Sequence, residues 1–151
     1  MDDVNRFHTD QTWRWVRAEH VALVTVFAVV GLLHAREAAW GRFAVAFLLI
    51  DLVGYVPGAI AFRRSGGGRI DPVYHHLYNL THSYLTAGLI VALWAMATGG
   101  LEWAMLAFPI HLSSDRGIFG NTYKPISLPF EPVHQVAERV SPSGQTAGAG
   151  R

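Results

Sequence analysis

Seven side chains that could hold a metal, a proton or a polar ligand stand in stretches that otherwise read as apolar: Asp51, His75, His76, Asn79, His82, His111 and Asp115. A charged group at membrane depth costs roughly 2.5–3.5 kcal/mol on insertion scales, so such residues face a bundle interior and have partners. His75, Asn79 and His82 recur at i, i+4 and i+7. On a helix they fall within about 60° of arc, one polar stripe bordered by Tyr78, while His76 points about 100° away. His111 and Asp115 at i, i+4 share a second helical face. Counted from the expected helix ends at 1.5 Å per residue, Asp51, His82 and His111 each lie ~15–16 Å into a different helix. The spacing therefore predicts that these three groups converge within about 8 Å of a common point.

The chain has no cysteine, so any metal must be held by nitrogen and oxygen. Imidazoles and carboxylates on facing helices suit a divalent zinc, manganese or iron ion. The predicted ligands are Asp51, His75, His82 and His111. Such an ion lowers the pKa of a water molecule and polarises an ester or phosphoryl oxygen. Asp115 is then the candidate general base, and Arg116 the candidate holder of an anionic group such as phosphate. Tyr55, Tyr78 and Asn79 are candidate supporting residues. The reading is a metal-dependent membrane enzyme, a hydrolase of a lipid-like substrate reached from the cytoplasmic leaflet. Other readings use the same residues. The site could pass protons or ions or bind a small ligand, or His82 and His111 could be axial haem ligands. His111 and Asp115 could simply cap a helix, with His75 and His76 solvated at the interface. His20 and His34 flank the first apolar run and read as interfacial; His8 and His134 lie outside the runs.

The elements that must position these residues are membrane helices. Hydrophobic residues make up 51% of the chain and charged ones 15%, against roughly 25% in a soluble domain. With basic residues scattered, nothing resembles a nucleic-acid stripe. No cleavable signal peptide is evident, because Arg14, Arg17 and Glu19 precede the first apolar run. The predicted fold is all-α, a polytopic membrane bundle of about four transmembrane helices. Its spans are Val21–Leu33 with an interfacial lead-in at Trp13–His20, Phe43–Phe62 kinked near Pro57, Pro72–Thr98, and Leu101 to about Gly117. Gly99 and Gly100 make the last two antiparallel neighbours. Residues 1–20 form a polar, interfacial segment and 21–125 the transmembrane domain. Residues 126–151 comprise the end of a proline-punctuated loop, a short helix at Glu131–Val140 and a disordered tail. Of the 12 basic residues all but Arg36 and Arg42 fall on one side, so both termini are expected in the cytoplasm and the protein in the plasma (inner) membrane.

Asp51 with Gly54 and Tyr55 (DLVGY), Tyr78-Asn79 with His82-Ser83 (YNLTHS) and His111 with Asp115-Arg116 (HLSSDRG) resemble small bacterial four-helix membrane proteins of unknown function, over about residues 43–125. A looser resemblance is to the LexA-regulated inner-membrane metal-dependent hydrolases. It rests on Thr81-His82-Ser83 and a later His-x-x-x-Asp, as at His111 and Asp115. In that family an earlier histidine, followed by arginine, lies five residues before the second. Here His76 lies six before His82 and precedes Leu77. That resemblance implies metal-dependent hydrolysis at the inner membrane.

Overall fold

The computed structural model describes residues 9–131, and among these there are helices and no strands. The expected short helix and tail after Glu131, and the first eight residues, lie outside the described part.

Helix α1 (Asp10–Leu33) is one continuous rod that absorbs the interfacial lead-in. Thr9 caps it, accepting from the Thr12 amide while Thr12 bonds back to the Thr9 amide. Asp10 in the first turn faces the positive end of the helix dipole. The second span divides at Tyr55 into α2 (Trp40–Gly54) and α3 (Val56–Arg64). The cause is Pro57, which has no amide for the Val53 carbonyl and crowds it with its ring. Helix α4 (Pro72–Thr81) begins with Asp71 accepting from the Val73 amide at 2.9 Å and with proline in its first turn. Helix α5 (Tyr84–Thr98) begins on Ser83, which accepts from the Leu85 amide, and stops at Gly99 with φ 80°. That left-handed terminus suits glycine.

Two expectations are corrected here. The run from Pro72 to Thr98 is not one straight helix: α4 and α5 meet at 55° across His82–Ser83. Ser83 adopts an extended backbone and offers its hydroxyl as a cap, so the chain starts a new helix instead of continuing the old one. The expected fourth span, Leu101 to about Gly117, is a composite. A 3-10 turn (Trp103–Leu106) leads into α6 (Ala107–Ser114) and then a π-helical turn (Asp115–Phe119) closed by Gly120. Pro109 excludes an α-type bond to the Met105 carbonyl, and the chain tightens just upstream.

By length and composition two helices can cross a membrane, Asp10–Leu33 and the α2–α3 run Trp40–Arg64, and a third if α4 and α5 count as one bent span. Helix α6 lies centrally, packed by α1, α2 and α5, while α2 also packs on α4 and α1 on the π-helical turn. At one end the α1–α2 and α5–α6 connections join. Arg42 pairs with Glu102 at 2.6 Å, and the Trp103 indole donates to Glu37 while stacking on His34. At the other end the Arg17 guanidinium donates to the Gly117 and Ile118 carbonyls.

That last contact depends on glycine. A Cβ on Gly117 would stand 2.8 Å from the Val21 nitrogen and 2.9 Å from the His20 carbonyl carbon, both rigid helix backbone. Gly117→Ala must push α1 away from the π-helical turn. Overpacking of this kind costs about 1–3 kcal/mol, so the thermal unfolding midpoint in detergent should fall clearly.

Candidate metal centre

Three helices each contribute one ligating group to a single point. Asp51 projects from the last turn but one of α2, His82 forms the C-terminal cap of α4, and His111 stands in α6. One ligand atom from each lies within 4.8 Å of the other two, so the group can hold a metal ion. The predicted convergence of these three residues is observed. Both imidazoles are buried, at 5% and 4% exposure, while Asp51 is half-exposed.

Asp115 stands beside them. The His82 Nε2 is 3.3 Å from Asp51 Oδ1 and 3.4 Å from Asp115 Oδ2; the His111 Nε2 is 3.6 and 3.7 Å from the same two oxygens. Ligands about 2.0–2.2 Å from a common tetrahedral ion are about 3.3–3.6 Å from one another. The separations of the two imidazoles from Asp51, 3.3 and 3.6 Å, thus match neighbouring corners of a coordination shell, the shorter being also within hydrogen-bond reach.

The hydrogen bonds behind the site fix its tautomers. The His82 Nδ1 is 3.0 Å from the Tyr78 carbonyl, which can only accept, so Nδ1 carries the proton in the neutral ring. Its Nε2 then presents a lone pair towards two carboxylate oxygens, an arrangement that calls for a proton or a cation between them. Thr81 Oγ1 also contacts Nδ1 at 3.0 Å, and the Tyr78 ring stacks on the imidazole at 3.9 Å. His111 is held by packing alone, edge-on to Phe47 at 4.6 Å. Both of its nitrogens and Asp115 Oδ2 are buried without a hydrogen-bond partner. Orphaned polar atoms are rare in a folded interior, and His111 Nε2 and Asp115 Oδ2, 3.7 Å apart, need an explanation. A cation held by Asp51, His82 and His111 would satisfy His111 Nε2, and a water molecule on that cation would satisfy Asp115 Oδ2.

Close helix approach sets the geometry. A Cβ on Gly54 would collide with Thr81 Oγ1 and reach 3.2 Å from the His82 ring, so glycine here lets α2 bring Asp51 to α4. Gly54→Ala should therefore displace His82 and weaken metal binding as well as stability, readable as metal content per protein beside the unfolding midpoint.

The other predicted site residues are placed differently. His75, expected as a ligand, is not brought into the group. It is buried on α4, but its Nε2 lies 3.2 Å from the Leu128 carbonyl in the loop after the π-helical turn. The break at His82 keeps the polar stripe yet gives its three members different partners. His76 is exposed. Asn79 does not reach the centre; its side-chain amide donates to the Lys124 carbonyl at 2.9 Å and its oxygen accepts from the Lys124 amide at 2.7 Å. Arg116, expected to hold an anion, uses one guanidinium N–H on the backbone. It donates to the His82 carbonyl at 3.1 Å and lies over the rings of Tyr84 and Tyr123. The break in the α4–α5 run leaves that carbonyl without its helical donor, and a buried carbonyl needs one. Arg116 is a positioning residue.

Tyr55 and Tyr78 line a cavity of about 240 Å³ together with Asp51, Asp115, Asn121, Lys124 and Glu131. Lys124 is the residue that sequence reasoning missed. Its ammonium donates to the Phe130 carbonyl at 2.6 Å, faces Glu131 at 3.6 Å, and lies against the rings of Phe130, Tyr78 and Tyr55. Burial pushes its pKa down, with Glu131 opposing. The available signal was that it is the chain's single lysine among 12 basic residues. On the far face of α2 lies a separate apolar groove of about 540 Å³, lined by Val45, Leu49, Val53, Ile90 and Trp94 among others.

No protein-family model, curated protein or solved structure matches the chain.

Proposed function

We propose that the protein is a metal-dependent hydrolase of the bacterial inner membrane, acting on an amphiphile whose polar end enters from the cytoplasmic side. The observation that carries this is the meeting of Asp51, His82 and His111 with Asp115 at one buried point. Three protein ligands and an open fourth position are the pattern of catalytic zinc sites, and a zinc ion is the preferred occupant over manganese or iron. A divalent ion there supplies Lewis acidity and a water molecule that ionises near neutral pH. Asp115, with an unpartnered oxygen beside both imidazoles, would take the proton of the attacking water as its oxygen bonds to the carbonyl carbon or phosphorus, and return it to the leaving oxygen as the ester C–O or P–O bond breaks. The looser family resemblance, carried by Thr81-His82-Ser83 and His111-x-x-x-Asp115, leads to the same chemistry. Haem ligation has less support, because both histidines aim at the same two carboxylate oxygens, where a porphyrin would have to lie. Proton or ion passage through the same residues is the reading that a metal-free protein would favour.

In this reading the chain is a four-span bundle with both termini in the cytoplasm. The Arg42–Glu102 and Glu37–Trp103 end then faces outward, and the end carrying Arg17, Arg63, Arg64, Arg116 and Lys124 faces inward. Because the chain has no cysteine, single cysteines at Ser65 and Gly100 test this cleanly. An impermeant maleimide applied to intact cells should label Gly100→Cys and spare Ser65→Cys; the reverse pattern inverts the orientation.

The direct test is elemental analysis of the purified protein, with about one equivalent of a transition metal expected, followed by release of p-nitrophenol from p-nitrophenyl dodecyl phosphate or p-nitrophenyl laurate. Asp115→Asn should keep the metal and lose turnover. Loss of the metal would make Asp115 a ligand, and unchanged turnover would remove it from the reaction.

A further inference from the structure

The cavity in front of Asp51 holds one cation from the chain, and nothing said so far gives it a task. Lys124 is carried on a loop, yet its place is built with care. Both backbone groups of the residue are clamped by Asn79, a side chain of α4. Its ammonium is enclosed by the rings of Phe130, Tyr78 and Tyr55 at 4.3, 4.8 and 5.5 Å. Of its three protons, one goes to the Phe130 carbonyl at 2.6 Å, and the nearest carboxylate, Glu131, stands at 3.6 Å, beyond good hydrogen-bond length. Lys124 therefore reaches the cavity with donor capacity left over. Arg116, the other cation nearby, donates to the His82 carbonyl, lies over the Tyr84 and Tyr123 rings, and does not line this cavity.

The cavity's charge balance sharpens this. Its lining carries Asp51, Asp115 and Glu131 against Lys124 alone. A divalent ion on Asp51 and the two histidines would, with the ammonium, bring the three acids to neutrality and set two positive centres, ion and ammonium, at one small polar space. Two such centres suit a group with two anionic or strongly polar oxygens on one atom, as a phosphoryl group has. The volume, about 240 Å³, is below the usual range of roughly 300–1,000 Å³ for drug-sized ligands. It admits a compact head and leaves the remainder of a lipid outside.

We infer that Lys124 is the anion anchor of this site, and that the substrate class is an amphiphile with a phosphoryl head, one oxygen on Lys124 and the reacting phosphorus beside Asp51, His82 and His111. This rests on the hydrolase reading above and names its substrate.

The test compares three probes by titration calorimetry in detergent: dodecyl phosphate, dodecanol and inorganic phosphate. Wild-type protein should bind dodecyl phosphate, and Lys124→Met should weaken that binding by about tenfold or more, as expected for one charge-assisted hydrogen bond. Lys124→Arg should restore most of it, and dodecanol should bind wild type and Lys124→Met alike. Inorganic phosphate binding as tightly as dodecyl phosphate, with the same dependence on Lys124, upholds the anchor and makes a free phosphate the ligand. Equal binding of dodecyl phosphate by wild type and Lys124→Met overturns the inference, as does wild type that does not bind it. An equal loss of dodecanol binding overturns it too, since Lys124 would then only hold the loop in place. Metal content of the same samples separates the two readings. Lys124-dependent phosphate binding by a protein without metal would sink the hydrolase and leave the anchor standing.

Discussion

His111→Ala is expected to lose bound metal by more than about tenfold while folding and inserting normally. Neither ring nitrogen of His111 has a hydrogen-bond partner in the protein, so alanine breaks no hydrogen bond and removes only the longer contacts of 3.6 and 3.7 Å to Asp51 and Asp115. Membrane insertion depends on the apolar runs and not on one imidazole. His82→Ala should lose metal to the same extent but at greater structural cost. Its Nδ1 bonds to the Tyr78 carbonyl and Thr81, and the ring stacks on Tyr78. Each buried hydrogen bond is worth about 1 kcal/mol, so metal-free His82→Ala should unfold at lower temperature than metal-free His111→Ala. Elemental analysis and thermal unfolding of chelator-stripped protein check both statements. Full metal occupancy in the two variants would leave the proposed enzyme without its centre.

Asp51→Asn separates function from packing most sharply. It keeps the volume and a hydrogen-bonding group, deletes the charge, and so lowers the cost of burial in the span. If the carboxylate neutralises a bound cation, the variant should lose the metal, again by more than about tenfold, yet be no less stable than wild type once both are stripped. If Asp51 only joins a polar network with His82 and His111, metal content stays the same and melting alone shifts, by about 1 kcal/mol. The two outcomes are opposite in both measurements.

The convergence of Asp51, His82 and His111 was legible because each is an ionisable residue set in an otherwise apolar run, and helical rise translates sequence distance into depth. The break at His82 was less so. No proline or glycine stands there, and the local sign is only Ser83, a good helix cap inside an apolar stretch. The backbone contact of Arg116 was illegible for a related reason: which carbonyl a broken helix leaves open depends on the break, and the arginine reaches that carbonyl. His75 and Lys124 depended on the path of the 121–131 loop, which places the Leu128 carbonyl over one and Asn79 behind the other. Loop paths are set by distant contacts and leave little periodic trace. The helical class, by contrast, followed from long apolar stretches that have few other stable forms.

The bend between α4 and α5 also sets how far this helix pair reaches. Ten and 15 residues joined at 55° span about 33 Å end to end, against about 37 Å for a straight rod at 1.5 Å per residue. A thicker membrane favours the longer form and a thinner one the bent form. A straight helix would hand the His82 carbonyl to the Thr86 amide, four residues on, and release Arg116 from it. It would also move α5 and its Ser83 cap relative to the site, since His82 is itself the joint. The reach of this helix pair, the hydrogen bond of one arginine and the histidine at the centre thus meet in a single joint.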